Sequence, residues 1–264
     1  MKVSPSSKAM WLKCEGAHTY RYTDGLTLKS ESIDDRRTTG RIVHEVLRAY
    51  WRLPATQRTY EVLTSVLEPL LEEAAFSTQV ERDAQSMISR FFAAFGTDEK
   101  AFPIAATEML LTGDKDGYSI EAYIDAYYEN ENYRYIGEVK TGAPDAAYYL
   151  EKHEQHLDYA YLMNHLLGPK PTMVVYTLLT PKIATRYSIT VTSANLEYAD
   201  YQWTRYLAWI RNHEPRPVYN AGFWCRFCEF SELCTARRVA GTDEMAKSRY
   251  TQRAGFALPA AEEG

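Results

Sequence analysis

A chain of 264 residues is long enough for one large domain or two smaller ones, and 45% hydrophobic with 25% charged residues is ordinary for a globular protein. The net charge of -5 excludes the strongly basic class of nucleic-acid-binding proteins, although it leaves room for a local basic surface. No apolar run approaches the roughly 20 residues that cross a bilayer, and the first residues lack the apolar stretch of a signal peptide, so we expect a cytoplasmic protein that does not enter a membrane.

The first hundred residues are predicted to be helical. Ser4 followed by Pro5 is typical of a helix start, and this short helix should reach Cys14. A second helix is expected over about 38–53, because its apolar residues recur with helical spacing. Two further helices are expected within residues 57–75 and 77–95.

Strands and helices are both predicted after Pro103. Three segments rich in β-forming residues and separated by turn sequences suggest an antiparallel meander, followed by a helix, two strands and a last helix. The expected strands are 104–112, 118–128, 133–140, 172–179 and 184–191, and the expected helices are 145–167 and 193–212. This order predicts an α/β fold with a mixed sheet flanked by helices.

Two acidic residues and a lysine are expected to meet at the ends of the central strands. Glu138 and Lys140 point to the same face because side chains alternate along a strand, and a hairpin would bring Asp125 close to that face. Two carboxylates and a backbone carbonyl suit Mg²⁺ or Mn²⁺, and a lysine beside them can act on a water or a phosphate. An isolated Glu-x-Lys is more often a solvated strand end, so the pattern alone leaves both interpretations open.

Three polar residues on predicted helices extend this pattern. His44 falls at the border of the apolar stripe of the second helix, where a side chain can reach a site beside the core. Gln155 and Tyr159 are separated by four residues and share one helix face. Taken singly, a helix histidine is more often packed or solvated, and the Gln–Tyr pair carries no functional information.

Together these residues resemble the RecB-like branch of the PD-(D/E)XK nucleases, whose motifs read G-x-x-x-H, a glutamate, D, (D/E)-x-K and Q-x-x-x-Y in that order. The resemblance implies a restriction-endonuclease-like core and a metal-dependent DNA nuclease. It assigns metal binding to His44, Asp125, Glu138 and the Val139 carbonyl. It assigns catalysis to Lys140, with Gln155 and Tyr159 in support, and an accessory acidic role to Glu108. The remaining motif residue that the sequence supplies is Gly40.

The four cysteines have spacing typical of a metal site. Cys225 and Cys228 form a C-x-x-C, Cys234 follows after five residues, and Cys14 lies near the other end of the chain. Four thiolates can ligate a [4Fe–4S] cluster or a tetrahedral zinc ion, and the spacing does not distinguish them. A subset of RecB-like nucleases, including the CRISPR-associated RecB-like exonucleases, carries one N-terminal cysteine and a late C-x2-C-x5-C. This resemblance implies a structural [4Fe–4S] cluster, with Zn²⁺ as the alternative.

The predicted organisation is one nuclease domain over residues 1–240. It consists of a helical N-terminal part (1–103), a catalytic sheet core (104–192), and a C-terminal helix with an Fe–S-binding cysteine segment (193–240) that closes on Cys14. Residues 241–264 are predicted to form a flexible tail.

Arg41, Arg48 and Arg52 share one side of the second predicted helix, beside His44 and opposite the apolar stripe. They predict a phosphate track, although a solvated polar face would carry the same residues. The predicted substrate is single-stranded DNA or DNA with free ends, cleaved by an exonuclease. The alternative is a non-catalytic DNA-end-binding subunit of a recombination, repair or CRISPR-adaptation complex. The resemblance also admits a homo-oligomer or partner proteins from such complexes.

Overall fold

The computed structural model describes residues 2–28, 35–72, 76–99, 104–142, 154–212, 222, 225–226 and 228–252. The chain divides into two compact units, each assembled from segments far apart in sequence. The first unit contains residues 1–32, 114–120 and 200–264, and the second contains residues 33–113 and 121–199. All four cysteines lie in the first unit, and the predicted single nuclease domain over residues 1–240 stays a prediction.

The order of the elements confirms the predicted α/β class. The helices are α1 (Pro5–Lys13), α2 (Glu15–His18), α3 (Asp35–Trp51), α4 (Tyr60–Glu72), α5 (Thr78–Glu99), α6 (Gln155–Leu167), α7 (Ser193–Asn212), α8 (Ser231–Ala240) and α9 (Glu244–Lys247), with a π-helical turn at Thr19–Thr23 and a 3₁₀ turn at Ala55–Gln57. The strands are β1 (Lys2–Val3), β2 (Leu26–Leu28), β3 (Ala106–Lys115), β4 (Tyr118–Glu129), β5 (Arg134–Thr141), β6 (Thr172–Leu179), β7 (Ala184–Val191) and β8 (Tyr250–Gln252). No helix in the described part of the chain is both long and apolar enough to span a bilayer.

The sheet of the second unit is mixed, as predicted. β3 pairs with β4, β4 is antiparallel to β5, β5 is parallel to β6, and β6 is antiparallel to β7. The strands β6 and β7 and the helix α7 have the predicted bounds. The helix expected from residue 145 is described from Gln155 onward, and positions 145–153 lie outside the described residues.

The core of the second unit fixes α3 on the sheet. The α3 side chains Val43, Val46 and Leu47 are fully buried and pack in one cluster with Ala126 of β4 and Val139 of β5. Burying an aliphatic side chain of this size contributes about 1.5–3 kcal/mol. Because this face is held in the core, His44, at the border of the face, lies beside the strands β4 and β5.

The first unit has a smaller core near the cysteines. Its α1 begins as predicted, since the Ser4 side chain accepts from the Ser7 N–H and Ser7 bonds back to the Ser4 N–H in a capping box. The small strand β8 pairs with β2, and Tyr250 is buried. Residues 241–252 therefore depart from the predicted flexible tail, because Tyr250 packs on Phe230. Residues 253–264 lie outside the described residues.

Candidate functional site

The pairing of β4 with β5 places the predicted acidic residues beside one another. The antiparallel register of the two strands extends to the pair Ala126↔Gly137. One residue farther along, the Asp125 side chain acts as an acceptor for the neighbouring backbone, because its Oδ2 accepts a 2.7 Å hydrogen bond from the Val139 N–H. This bond fixes the Asp125 carboxylate against β5, next to Glu138.

The predicted helix histidine reaches the same place. His44 Nδ1 lies 3.2 Å from Asp125 Oδ1. Burial of the ring lowers the pKa of His44, but the hydrogen bond to Asp125 and the charges of Asp125 and Glu138 outweigh burial and raise this pKa above its ordinary value. His44 is thus held by the acidic site, as the sequence pattern predicted.

Gly40, the first residue of the G-x-x-x-H motif, allows α3 to approach the end of β5. A Cβ atom built at Gly40 would lie 2.6 Å from Thr141 Oγ1. Real Cβ atoms do not tolerate so short a contact, and the β-branched Thr141 side chain has few alternative rotamers. The glycine therefore lets the helix that carries His44 lie against the strand that carries Glu138.

Gly40→Ala should push α3 away from β5 and move His44. We expect a loss of about 1–3 kcal/mol in stability from overpacking and roughly a tenfold loss of activity from the displaced side chain. Thermal unfolding and cleavage kinetics measure both effects. The double variant Gly40→Ala/Thr141→Ala removes the clashing oxygen and should recover most of the loss. A double variant as impaired as the single one would disprove this account of the glycine.

Lys140 belongs to a chain of hydrogen bonds that links β5 to α6. Its Nζ donates to Glu138 Oε1 and, at 3.0 Å, to Gln155 Oε1. Gln155 Nε2 donates to the hydroxyl oxygen of Tyr159, which is buried. The predicted Gln-x-x-x-Tyr pair therefore shares one face of α6 and supports the lysine.

Glu138 is the most deeply buried acid of the site. Its side chain is 6% exposed, and its Oε2 has no hydrogen-bond partner among the described residues. Burial, opposed by Lys140 and reinforced by Asp125, raises the pKa of Glu138 to about 7. A buried carboxylate oxygen that lacks a donor is costly, and such atoms commonly pair with a cation or a water.

These side chains fit a divalent cation by their chemistry. Within the described ranges, no group of three or more His, Cys, Asp or Glu side chains is arranged as a metal site. His44 bonds to Asp125 and Lys140 bonds to Glu138, so several donor atoms are engaged with one another. The carboxylates of Asp125 and Glu138 and the imidazole of His44 nevertheless form a donor set that suits Mg²⁺ or Mn²⁺.

Glu108 occupies a strained position on β3. Its φ of 50° lies in the left-handed region, which costs a non-glycine residue about 1–2 kcal/mol. Its carboxylate lies 3.4 Å from Arg48, which also pairs with Glu45. The described contacts thus join Glu108 to the arginine face of α3, and its accessory acidic role stays a prediction.

The three arginines proposed to bind phosphate differ in their surroundings. Arg41 and Arg52 are exposed, and Arg52 Nε donates to Thr107 Oγ1 at 3.2 Å. Arg48 is engaged by the two carboxylates of Glu45 and Glu108. The charge of Arg48 is therefore largely compensated, whereas the exposed pair remains accessible to a ligand.

The four cysteines lie in the first unit as free thiols, and within the described ranges they are not arranged as a metal site. Cys14, Cys228 and Cys234 pack against its small apolar core. Burial raises the pKa of Cys234 to about 12, and the thiols of Cys228, Cys14 and Cys225 act in the same direction. Cys228 and Cys234, whose pKa values are raised by burial and by the neighbouring thiols, would be stabilised as thiolates by a cationic centre.

Two residues at the acidic site escaped the sequence analysis. Thr141 contacts the helix at Gly40, and Tyr176 of β6 is the register partner of Glu138. A strand was predicted at residues 172–179, which include Tyr176. This prediction gave no signal of which strand would lie beside it, because a single sequence does not encode parallel pairing in a local pattern.

Comparison with known proteins was made for both sequence and fold. A family model described as PD-(D/E)XK nuclease superfamily matches residues 2–235. This chain is similar to the crystal structure of a Eubacterium rectale protein to which exonuclease activity is ascribed. The TM-score is 0.53 and the identity is 13%, over 86% of this chain and 87% of that chain. An alkaline exonuclease from Laribacter hongkongensis matches with a TM-score of 0.31 and 10% identity, over 66% of this chain and 92% of that chain. No curated protein matches in sequence.

Proposed function

The chain belongs to the PD-(D/E)XK nuclease superfamily, and on this basis we propose that it is a Mg²⁺- or Mn²⁺-dependent DNA exonuclease acting on single-stranded DNA or free DNA ends. The observation that carries the proposal is the meeting of Asp125, Glu138 and Lys140 on the paired strands β4 and β5. Hydrolysis of a phosphodiester needs carboxylates that hold a cation and a group that acts on water or phosphate. The exonuclease mode follows the RecB-like motifs and the activity ascribed to the Eubacterium rectale protein.

Each side chain of the site has its own role in the proposed reaction. Asp125, Glu138 and His44 would hold the divalent cation, with the Val139 carbonyl as a backbone ligand. When bound, the cation supplies charge stabilisation on the phosphate and a more acidic water. Lys140 is held by Glu138 and Gln155, so its ammonium group can orient the attacking water or neutralise a phosphate oxygen. Tyr159 holds Gln155 and thereby restricts the motion of the lysine.

Substrate topology tests the exonuclease mode. We expect the protein, purified anaerobically and supplied with Mn²⁺, to degrade linear end-labelled single-stranded DNA and to leave circular single-stranded DNA intact. Cleavage of linear and circular duplexes, compared in the same assay, measures whether the protein needs a frayed end to act on duplex DNA. Equal cleavage of the circular and linear single strands would replace the exonuclease with an endonuclease. Binding without cleavage of any substrate would favour the non-catalytic DNA-end-binding subunit.

Arg41→Ala/Arg52→Ala should weaken DNA binding and reduce its salt dependence. Each phosphate contact contributes about 0.7 to the slope of log K against log salt for a single strand, so two lost contacts should reduce the slope by about 1.4. Binding is measured in EDTA over several salt concentrations. Arg48→Ala should have a smaller effect, because Glu45 and Glu108 already compensate its charge. Arg82→Ala/Arg90→Ala, at two exposed positions on α5, is the control that removes the same two charges, and a slope change equal to that control would exclude the track.

We propose further that the four cysteines hold a structural [4Fe–4S] cluster. The proposal is supported by their proximity within the first unit, by the absence of a disulfide among them, and by the spacing shared with a subset of RecB-like nucleases. Zn²⁺ remains the alternative ligand, since four thiolates suit both centres. Either the [4Fe–4S] cluster or the zinc ion would cross-link the chain near residue 14 to residues 225–234 within the first unit.

A further inference from the structure

Tyr176 is the direct neighbour of Glu138 across the sheet. The parallel register of β5 with β6 aligns Glu138 with Tyr176. Side chains at aligned positions of neighbouring strands project to the same face. Tyr176 therefore lies on the face of the sheet that carries Glu138 and Lys140, although it belongs to none of the motifs recognised in the sequence.

Both side chains end in a buried polar atom without a hydrogen-bond partner. Tyr176 is 1% exposed and Glu138 is 5% exposed. Among the described residues, neither the Tyr176 hydroxyl nor Glu138 Oε2 makes a hydrogen bond of normal geometry. Buried polar atoms of this kind are rare in folded proteins, and two of them on register partners call for a common explanation.

The surroundings of Tyr176 indicate where its proton goes. The backbone N–H of His156 approaches the Tyr176 oxygen and lowers the pKa of this tyrosine, which burial raises more strongly together with the charges of Glu138 and Asp158. An amide that faces the oxygen occupies it as an acceptor. The hydroxyl proton is then available to an acceptor, and Glu138 Oε2, on the register partner of Tyr176, is a buried carboxylate oxygen that lacks a donor among the described residues.

We propose that Tyr176 is a positioning residue for Glu138, donating to Glu138 Oε2 directly or across one water and so fixing the carboxylate in its cation-binding orientation. The proposal rests on the metal-dependent activity proposed above. Lys140 holds one oxygen of Glu138, and Tyr176 holds the other. Groups that orient a metal ligand in this way typically change metal affinity or activity by about 10- to 100-fold when they are removed.

Tyr176→Phe removes only the hydroxyl and tests the proposal. We expect the dissociation constant for Mn²⁺, measured by calorimetric titration in the absence of DNA, to rise by about 10- to 100-fold. Excess Mn²⁺ should restore most of the cleavage rate, since the defect lies in cation binding. The metal-free protein should remain folded, with at most a small fall in melting temperature, because the lost hydroxyl is approached only by the His156 N–H among the described residues.

Tyr187→Phe is the matched control. Tyr187 is the β7 register partner of Tyr176 and is 37% exposed, so the same chemical change there should leave Mn²⁺ affinity at the wild-type value. A Tyr176→Phe protein that binds Mn²⁺ within twofold of wild type would overturn the positioning role and leave the proposed nuclease activity standing. Failure of the wild-type protein to bind Mn²⁺ would overturn both.

Discussion

Glu138→Gln should remove both Mn²⁺ binding and DNA cleavage. The substitution keeps the size of the side chain and deletes the charge that a divalent cation needs at this position. A bound metal supplies several kcal/mol of transition-state stabilisation, so the cleavage rate should fall by roughly 100-fold or more. Calorimetric titration with Mn²⁺ and cleavage of labelled DNA measure the two losses. Glu197→Gln, at an exposed position on α7, is the control and should behave as wild type.

The same variant should gain stability relative to wild type as pH rises in EDTA. Burial raises the pKa of Glu138 from 4.5 to about 7, so the folded protein binds this proton more tightly than the unfolded chain does. The corresponding stability is fully present below the unfolded pKa and is lost as pH rises through about 7. Glutamine does not titrate. Between about pH 5 and about pH 8, the difference in Tm should therefore move in favour of Glu138→Gln, and a constant difference would show that Glu138 does not titrate in this range.

Cys228→Ala should abolish the metal centre of the first unit and destabilise the protein. Wild-type protein purified anaerobically should be brown, with absorption at about 400 nm and iron bound to the cysteines. A cross-link between chain regions so far apart in sequence is worth about 5 kcal/mol, so its loss should lower Tm by roughly 10–20 °C. Absorption, iron and zinc analysis, and thermal unfolding measure these changes.

The metal analysis also separates the competing interpretations of the cysteines. Colourless wild-type protein with one zinc per chain would replace the iron–sulfur cluster with the zinc alternative. Wild-type protein with neither metal, and with a melting temperature unchanged by Cys228→Ala, would reduce the cysteines to packing residues. Ser231→Ala on the neighbouring helix α8 controls for local disruption and should keep colour and Tm.

Local patterns in the sequence predicted most of the elements. The element order predicted β6, β7 and α7 with their observed bounds, and helical spacing predicted α3 to within a few residues. The order of the motif residues also predicted which side chains meet, as His44 with Asp125 and Lys140 with Gln155 demonstrate. These features depend on short-range periodicity and on motif spacing, both of which a single sequence contains.

Features that depend on long-range pairing could not be predicted. The pairing of Glu138 with Tyr176 depends on a parallel register, and the burial of Tyr250 depends on contacts with residues distant in sequence. The left-handed backbone at Glu108 is imposed by its surroundings, because a glutamate has no intrinsic preference for that region. The pairing of Arg48 with two carboxylates likewise needs coordinates, since helical angles place the arginine on a face but do not supply its partners.

The most direct test of the account is cleavage of end-labelled linear single-stranded DNA by the wild-type protein and Lys140→Ala, each with Mn²⁺ and with EDTA. The lysine variant should remain folded, because its ammonium group lies at the site and not in the apolar core. We predict that the wild-type protein degrades the DNA with Mn²⁺ and not with EDTA, and that Lys140→Ala leaves it intact under both conditions. Full cleavage by Lys140→Ala, cleavage by the wild-type protein in EDTA, or no cleavage by the wild-type protein with Mn²⁺ would contradict the account.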